Sequence, residues 1–173
     1  MAALVVGGGS AVFSDAILAR AAALVARCRE QGVTIALAES CTGGLVCGLL
    51  TEIPGSSAVL ERGFVVYSNQ AKQDLLGVSA FTLAQFGAVS AETAREMALG
   101  ALAHSSAAVA ASITGIAGPD GGTPQKPVGL VHFALAQRGG GVTPRERRYG
   151  DAGRAAIRLA AVATALEMLE GAV

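Results

Sequence analysis

Tryptophan is absent from this sequence, and aromatic residues of all kinds make up only 4% of its 173 residues. A surplus of charge of one sign is missing too, because thirteen basic residues balance thirteen acidic ones. A protein that binds nucleic acid usually has a basic surface, or aromatic side chains on which bases stack. The composition therefore argues against nucleic acid as a partner.

Residues that ligate metals or act as general bases are also few. The two histidines, His104 and His132, fall late in a predicted helix and inside a predicted strand, positions where a structural role is the more common one. The sequence thus offers little for a Ser-His-Asp triad, and no His/Cys/Asp cluster resembles a zinc site. The sequence contains three cysteines, and their spacing is not that of metal ligands. An odd number of cysteines favours free thiols in a reducing cytoplasm.

Long apolar runs and an N-terminal basic cluster are missing as well, so neither a membrane span nor a signal peptide is expected. Hydrophobic residues make up 52% of the chain and charged residues 15%, values typical of a compact globular protein. The length suits one domain, which we expect over residues 14–173. Residues 1–13 contain Gly7-Gly8-Gly9 without the spacing of a dinucleotide-binding loop, and we expect this segment to be disordered.

Helical and strand-like patterns alternate along the rest of the chain. Apolar residues at helical spacing, Ser caps and Gly stops predict the helices, and short apolar, partly β-branched runs predict the strands. The predicted helices cover 14–31, 43–53, 70–76, 91–104 and 154–169, and the predicted strands cover 33–38, 64–67, 107–113, 128–136 and 145–149. This alternation predicts an α/β fold, a three-layer α/β/α sandwich with a mixed, mostly parallel five-stranded sheet.

Three polar loops follow the first three predicted strands: ESCTGG at 39–44, YSNQAK at 67–72 and TGIAGPDGG at 114–122. Ligands of open α/β sheets bind beyond the carboxyl ends of the strands, so parallel strands would bring these loops to one edge. Taken singly, each loop is also a plausible turn or helix cap. The three loops together predict a ligand-binding or active site at this edge of the sheet.

Lysine is scarce, since only Lys72 and Lys126 occur among thirteen basic residues. A desolvated lysine can act as a base, which arginine cannot do, and a Ser-Lys pair is a known alternative to the triad. Ser40 is the favoured nucleophile and Cys41 its rival. Backbone N–H groups from Thr42 to Gly44 are candidates for holding an oxyanion. Activity near pH 7 requires the pKa of Lys72 to fall, through burial or a nearby cation such as Arg62 or Arg154.

A family resemblance rests on the stretches ESCTGG, GSSAVLERGFVVYSNQAKQDLLGV, GAVSAETAREMALGA and TGIAGPDGGTPQKPVGLVHFA. Together they resemble the C-terminal domain of the competence-damage-inducible (CinA) protein family over about residues 14–170. The enzymatic members of this family are nicotinamide-nucleotide amidohydrolases. The resemblance implies hydrolysis of the carboxamide of nicotinamide mononucleotide, with release of ammonia and with no metal or cofactor.

The family's Ser-Lys pair corresponds here to Ser40 and Lys72, and its supporting groups correspond to Tyr67 and Thr114. The resemblance also implies a nucleotide-binding arginine near the last helix. In place of a compact Gly-Asp-Arg, this chain reads Gly150-Asp151-Ala152-Gly153-Arg154, so Arg154 and Arg158 are both candidates. Further implied substrate contacts are Thr42, Gly43, Gly44, Asn69, Gly115 and Gly118.

Two other functions remain open from the sequence. One is a non-catalytic domain that binds a nucleotide, and the other is an amidase or esterase that acts on a different small substrate. Ala-rich, apolar helices leave room for an interface between copies, so a homodimer or a higher homo-oligomer is expected. No membrane partner is expected.

Overall fold

The structure, a computed structural model, describes residues 12–173. Most of the segment 1–13 expected to be disordered lies outside these residues, but its last member, Phe13, is only 8% exposed and packs in the core. The helices are α1 (Asp15–Gln31), α2 (Leu45–Thr51), α3 (Asn69–Leu76), α4 (Ala80–Phe86), α5 (Ala91–Ala103) and α6 (Arg154–Glu170), with a 3₁₀ turn over Ser56–Ala58. The strands are β1 (Ile35–Glu39), β2 (Leu60–Val65), β3 (Val109–Gly115), β4 (Leu130–Gln137) and β5 (Val142–Arg148).

The five strands form one sheet in the order β2-β1-β3-β4-β5. Strand β1 pairs in parallel with β2 and β3, whereas β4 pairs antiparallel with both β3 and β5. The predicted α/β class and mixed five-stranded sheet are therefore confirmed. The description "mostly parallel" holds for strand direction, because β4 alone runs against the other four, but only two of the four pairings are parallel.

Alternation along the central strands sorts large and small side chains onto opposite faces of the sheet. Ile35 and Leu37 of β1 face the layer of α1, α2 and α6, and they share its core cluster. Ala36 and Ala38 of the same strand face α5, in a second cluster rich in alanine. Small side chains on this face let α5 lie close to the sheet, so each face of the sheet has its own helical layer.

Two predictions of secondary structure were wrong. One concerns a strand at the edge of the sheet, and the other concerns a short helix. The second strand covers Leu60–Val65 rather than 64–67, because β2 is an edge strand whose Glu61, Arg62 and Gly63 do not form the apolar run of a buried strand. The short helix α4 was missed, although Ser79 caps it and Gly87 ends it. Among the helices of the described residues, none is long and apolar enough to cross a membrane.

Close packing of α5 against α3 generates a prediction about stability. A Cβ atom on Gly100 would collide with the Leu76 carbonyl oxygen, a backbone atom at the end of α3. We expect Gly100→Ala to lower the free energy of unfolding by about 1–3 kcal/mol or more, because the two helices must separate. Urea denaturation measures the change.

Gly48→Ala is the matched control, since Gly48 also lies within a helix but a Cβ there would meet only the Phe13 ring at 4.0 Å. This substitution should raise the free energy of unfolding by up to about 1 kcal/mol through helix propensity. Equal effects of the two substitutions would contradict the packing explanation.

Candidate active site

The three polar loops meet at the carboxyl edge of β1, β2 and β3. Ser40 directly follows β1, Tyr67 lies just beyond β2, and Gly115 ends β3. They surround a cavity of about 200 Å³. Its lining residues are Ser40, Cys41, Tyr67, Lys72, Ala88, Val89, Thr114, Gly115, Ala117 and Arg154.

Ser40 and Lys72 are in contact at the floor of this cavity. The Nζ atom of Lys72 lies 3.1 Å from the Oγ atom of Ser40. The same amine donates to the Val66 carbonyl over 2.8 Å and lies 3.5 Å from the Tyr67 carbonyl oxygen. A protonated lysine has three N–H donors for these three oxygens, whereas a neutral amine has two and a lone pair. The lone pair of the neutral form is then directed at the Ser40 hydroxyl.

Lys72 is only 1% exposed, and it is one of the largest fully buried side chains of the described residues. Burial lowers the pKa of its amine, because desolvation disfavours the charged form, while Cys41 acts weakly in the opposite direction. The position in the first turn of α3 also disfavours a cation, since the positive end of the helix dipole lies there. Arg62, named above as a possible cause, instead donates to the His104 carbonyl.

The rival nucleophile Cys41 lies next to Ser40 but is a poor candidate. Its side chain is 5% exposed, and burial raises the pKa of the thiol to about 11. A thiol is reactive mainly as the thiolate, so Cys41 stays unreactive at neutral pH. The local chemistry therefore favours Ser40.

Residues 40–43 form a tight turn in which the Gly43 N–H donates to the Ser40 carbonyl over 3.0 Å. The Gly44 N–H donates to Glu39 Oε2 over 3.0 Å. These two N–H groups are thus occupied, although the sequence made them candidates for holding an oxyanion. The N–H groups of Cys41 and Thr42 donate to no other backbone group within residues 12–173. Thr42 is fully buried and lies outside the cavity lining, so of the two only Cys41 lines the cavity.

Glu39 is a fully buried acid that sequence reasoning gave no role. Its carboxylate accepts from the N–H groups of Gly44, Val46 and Cys47 over 2.9–3.1 Å. It therefore caps the start of α2 and fixes the chain immediately after Ser40. The only sequence signal was an acid at the end of an apolar run.

The two candidate arginines of α6 have different surroundings. Arg154 lines the cavity, where it donates to the Gly118 carbonyl over 2.9 Å and to the Tyr67 hydroxyl over 3.2 Å. Arg158 lies outside the cavity lining and donates to the carbonyl groups of Cys41 and Thr42 over 3.1 and 2.9 Å. Of the two, only Arg154 is within reach of a ligand in the cavity.

The other predicted residues are divided between the cavity and its surroundings. Tyr67 is 62% exposed at the rim. Thr114 is buried, and its hydroxyl donates to the Ala88 carbonyl over 2.7 Å rather than to Lys72. Gly115 lines the cavity at a position where a Cβ would lie 2.8 Å from the Leu130 carbonyl oxygen. The remaining predicted contacts are not among the lining residues: Thr42, Gly43, Gly44, Asn69 and Gly118.

One wall of the cavity is the loop of residues 86–89, which sequence reasoning missed. Each of its four carbonyl oxygens accepts a hydrogen bond from a side chain. The donors are Lys126 to Phe86 and Val89, Ser90 and Thr93 to Gly87, and Thr114 to Ala88. Lys126, the other lysine of the chain, therefore holds this wall. Nothing in the loop's own composition distinguishes it from an ordinary connection.

Metal ligands are not clustered in the described part of the chain, where no three His, Cys, Asp or Glu side chains form a group that could hold an ion. His132 lies beyond the loop wall, 3.9 Å from Glu146, and burial lowers the pKa of its imidazole. It does not line the cavity of Ser40.

Comparison with known proteins identifies relatives across almost the whole chain. A family model described as "CinA C-terminal domain" matches residues 18–173. A curated protein of Escherichia coli (strain K12), "Nicotinamide-nucleotide amidohydrolase PncC", is 55% identical over 142 residues, which are 82% of this chain and 85% of that protein. A longer "CinA-like protein" of Anaeromyxobacter sp. (strain Fw109-5) is 51% identical over 93% of this chain but only 39% of its own length.

Solved structures agree with this result. The crystal structure of "competence/damage inducible protein CihA from Agrobacterium tumefaciens" is similar with a TM-score of 0.91 and 55% sequence identity. The similarity covers 93% of this chain and 98% of that one. Fold and sequence thus point to the same family.

The buried amine generates a prediction about pH. The pKa of an unfolded lysine is about 10.4, and burial lowers the pKa of Lys72 in the folded chain below that value. Between the two values the unfolded chain binds more protons, so this group makes the free energy of unfolding rise with pH. In Lys72→Met this contribution is lost. We therefore expect the stability of Lys72→Met, relative to the unchanged chain, to decline as the pH rises from about 7 to about 10. Urea denaturation at several pH values measures this.

Ser40→Ala, which keeps the buried amine, should still have a stability that rises with pH over this range. A constant difference between Lys72→Met and the unchanged chain across this pH range would mean that the lysine titrates alike in both states.

Proposed function

Because this chain belongs to the CinA C-terminal domain family, we propose that it is an amidohydrolase that converts nicotinamide mononucleotide to nicotinate mononucleotide and ammonia. The reaction is proposed to pass through an acyl-enzyme on Ser40. The relative named for this activity shares 55% of its residues with the chain over most of both lengths, which supports the substrate class.

The observation that carries the mechanism is the desolvated amine of Lys72, 3.1 Å from the Ser40 hydroxyl. A lysine that serves only as a structural cation is normally found with an acidic partner or in solvent. Lys72 has neither, since it is 1% exposed and forms no salt bridge within the described residues. A neutral amine beside a hydroxyl is the arrangement that a general base requires.

In the first half of the reaction, the Lys72 amine takes the proton of the Ser40 hydroxyl as Oγ attacks the carboxamide carbon. The carbonyl oxygen becomes an oxyanion, for which the N–H group of Cys41, a residue of the cavity lining, is the proposed donor. Collapse of this intermediate breaks the C–N bond. The proton on Lys72 passes to the nitrogen, and ammonia leaves.

In the second half, water hydrolyses the ester on Ser40. Lys72 is neutral again after ammonia leaves, and it removes a proton from the attacking water. The carbonyl oxygen is again held by the Cys41 N–H group. Cleavage of the ester returns a proton to Ser40 and releases nicotinate mononucleotide, so no metal or cofactor enters either half.

Arg154 is the proposed contact for the substrate phosphate. Its guanidinium lies at the rim of the cavity, where among the described residues it donates to two oxygens, and a planar guanidinium suits the phosphate geometry. Arg145 and Arg148, by contrast, pair with Glu167 and Glu146 on the surface. The nucleotide would then extend from Ser40 towards the start of α6.

A domain that binds nucleotides without turnover remains the second candidate, because such a domain would keep the cavity and Arg154. The desolvated Lys72 favours the enzyme, since ligand binding alone requires no buried base. We also propose a cytoplasmic location, which fits the free thiols of Cys28, Cys41 and Cys47. Assembly into a homodimer or a higher homo-oligomer stays a prediction.

Activity measurements test the assigned roles. Purified protein should release ammonia from nicotinamide mononucleotide, and Ser40→Ala should lower kcat by about 10³-fold or more. Cys41→Ala should keep most of the activity, because the Cys41 thiol is protonated at neutral pH. Lys72→Arg should be as inactive as Lys72→Ala, since arginine does not release its proton. Thermal denaturation checks that each variant is folded.

Substantial turnover by Lys72→Arg would show that position 72 needs only a positive charge. Activity in Ser40→Ala together with its loss in Cys41→Ala would reverse the choice of nucleophile. Binding of nicotinamide mononucleotide without any ammonia release would favour the non-catalytic domain.

Truncation of Arg154 tests the phosphate contact with two substrates. Arg154→Ala should raise KM for nicotinamide mononucleotide by about 10- to 100-fold, the loss expected for a charged hydrogen bond. The KM for nicotinamide riboside, which lacks the phosphate, should hardly change. Arg147→Ala removes an exposed arginine outside the cavity lining and is the matched control. An equal rise of KM for both substrates would place the phosphate elsewhere.

A further inference from the structure

The loop of residues 86–89 separates two cavities. On one side, Ala88 lines the cavity that contains Ser40, whose volume is about 200 Å³. On the other side, Phe86 lines a second cavity of about 280 Å³, which lies between the start of α5 and the strands β4 and β5. Val89 lines both cavities. The position of this loop therefore sets one boundary of the Ser40 cavity.

Lys126 holds the loop from the side of the second cavity. Its Nζ atom donates to the Phe86 carbonyl over 2.5 Å and to the Val89 carbonyl over 2.7 Å. These are the first and last residues of the loop, so a single ammonium joins its two ends. Hydrogen bonds from a charged donor are about twice as strong as those between neutral groups. Lys126 lines the second cavity and not the cavity of Ser40, so it acts on a ligand at Ser40 only through the loop.

The ammonium of Lys126 is not engaged by an acidic side chain of the described residues. Glu92 and Glu146 line the same second cavity, yet Lys126 forms no salt bridge within residues 12–173. A turn fixes the backbone of Lys126, because its N–H donates to the Thr123 hydroxyl over 3.0 Å and its carbonyl accepts from the Thr123 N–H over 2.8 Å. The residue is thus placed independently of the loop that its side chain holds.

Removal of the ammonium would release the two ends of the loop and leave its middle in place. The two middle carbonyls keep their hydroxyl donors, which come from the start of α5 and from β3. The carbonyls of Phe86 and Val89 would turn to water, because a carbonyl without a partner is unfavourable. Water is not attached to the chain, so it would not hold Val89 between the two cavities.

We propose that Lys126 is a specificity-determining residue, which holds the boundary at Val89 so that the Ser40 cavity accepts an acyl group on one ring and excludes the same group on two fused rings. The volume supports this limit, since sites that bury drug-sized ligands measure about 300–1,000 Å³ and this cavity is smaller. Additional room lies behind Val89, in the second cavity. The role rests on the proposed acylation of Ser40 but not on the identity of the nucleotide.

Two other roles for Lys126 predict different results. A contact with the substrate phosphate would make Lys126→Met raise KM for nicotinamide mononucleotide but not for nicotinamide riboside. A purely structural role would lower the fraction of folded protein, and every substrate would then react more slowly by the same factor. Only control of the boundary changes the ratio of rates between a small and a large acyl group.

Two activated esters measure that ratio without the nucleotide: p-nitrophenyl nicotinate, with one ring in its acyl group, and p-nitrophenyl quinoline-3-carboxylate, with two fused rings. In each reaction Ser40 Oγ forms a bond to the acyl carbon, nitrophenolate leaves, and the hydroxyl proton passes to Lys72. Release of nitrophenolate gives kcat/KM for each ester. The rates of hydrolysis by hydroxide correct for the intrinsic reactivity of the two esters.

In the unchanged chain, the single-ring ester should be favoured by about 10- to 100-fold. Lys126→Met should lower this ratio by about 10-fold, mainly because kcat/KM for the fused-ring ester rises. Lys126→Arg, whose guanidinium can still donate to carbonyls, should keep most of the preference. Gln125→Met is the matched control, since Gln125 lies in the same turn and lines the second cavity, but its side chain donates to no carbonyl of the loop. Its ratio should stay within about threefold of that of the unchanged chain.

The outcomes distinguish this role from the proposed function. A ratio that falls in Lys126→Met, in a protein that releases no ammonia from nicotinamide mononucleotide, would support the role of Lys126 and refute the proposed substrate. An unchanged ratio in folded Lys126→Met would overturn the role, as would equal rates for both esters in the unchanged chain or a KM effect limited to the phosphorylated substrate. If the unchanged chain released nitrophenolate no faster than Ser40→Ala, both the role and the Ser40 mechanism would be refuted. Thermal denaturation confirms folding, and Lys126→Gln replaces Lys126→Met if the latter does not fold.

Discussion

Burial of the Lys72 amine without an acidic partner is the constraint on which the candidate site depends. Transfer of an ammonium from water to a protein interior costs several kcal/mol, and an opposite charge usually offsets that cost. Here three oxygens surround the amine, from Ser40 and from the carbonyls that follow β2. They satisfy either protonation state, so desolvation, helped by the positive end of the α3 dipole, favours the neutral amine. The parallel pairing of β1 with β2 creates this environment, because it brings the ends of both strands together beneath α3.

The turn beside Ser40 is held by opposite charges on its two sides. Glu39 accepts from the N–H groups at the start of α2, while Arg158 donates to the carbonyls of Cys41 and Thr42. The negative charge of Glu39 faces N–H groups, and the positive charge of Arg158 faces carbonyl oxygens. The turn is therefore held in place without any contact from a ligand. A preorganised site of this kind loses little free energy to reorganisation when charge develops.

A structural feature of this protein can be predicted from the sequence when it depends on residues that are close together in the chain. Strand and helix order followed from periodicity, and the approach of Ser40 to Lys72 followed from polar loops after successive strands. Glu39 and Arg158 act on backbone groups, and residue type does not reveal which backbone group a side chain will meet. Arg158 lies 117 positions from Cys41, so its contact arises only from the packing of α6 against α2. The edge strand β2 was misplaced because its exposure removes the apolar pattern of a buried strand.

The loop of residues 86–89 has a thermodynamic consequence for ligand selection. Side chains already hold all four of its carbonyls, so its conformational entropy is lost during folding and not when a ligand enters. Binding therefore avoids the usual cost of ordering a loop, and weak contacts with a small ring can suffice. The same rigidity means that a ring too large for the cavity meets a wall that does not yield. Such a molecule is rejected by shape, before any chemical difference at its reactive group comes into play.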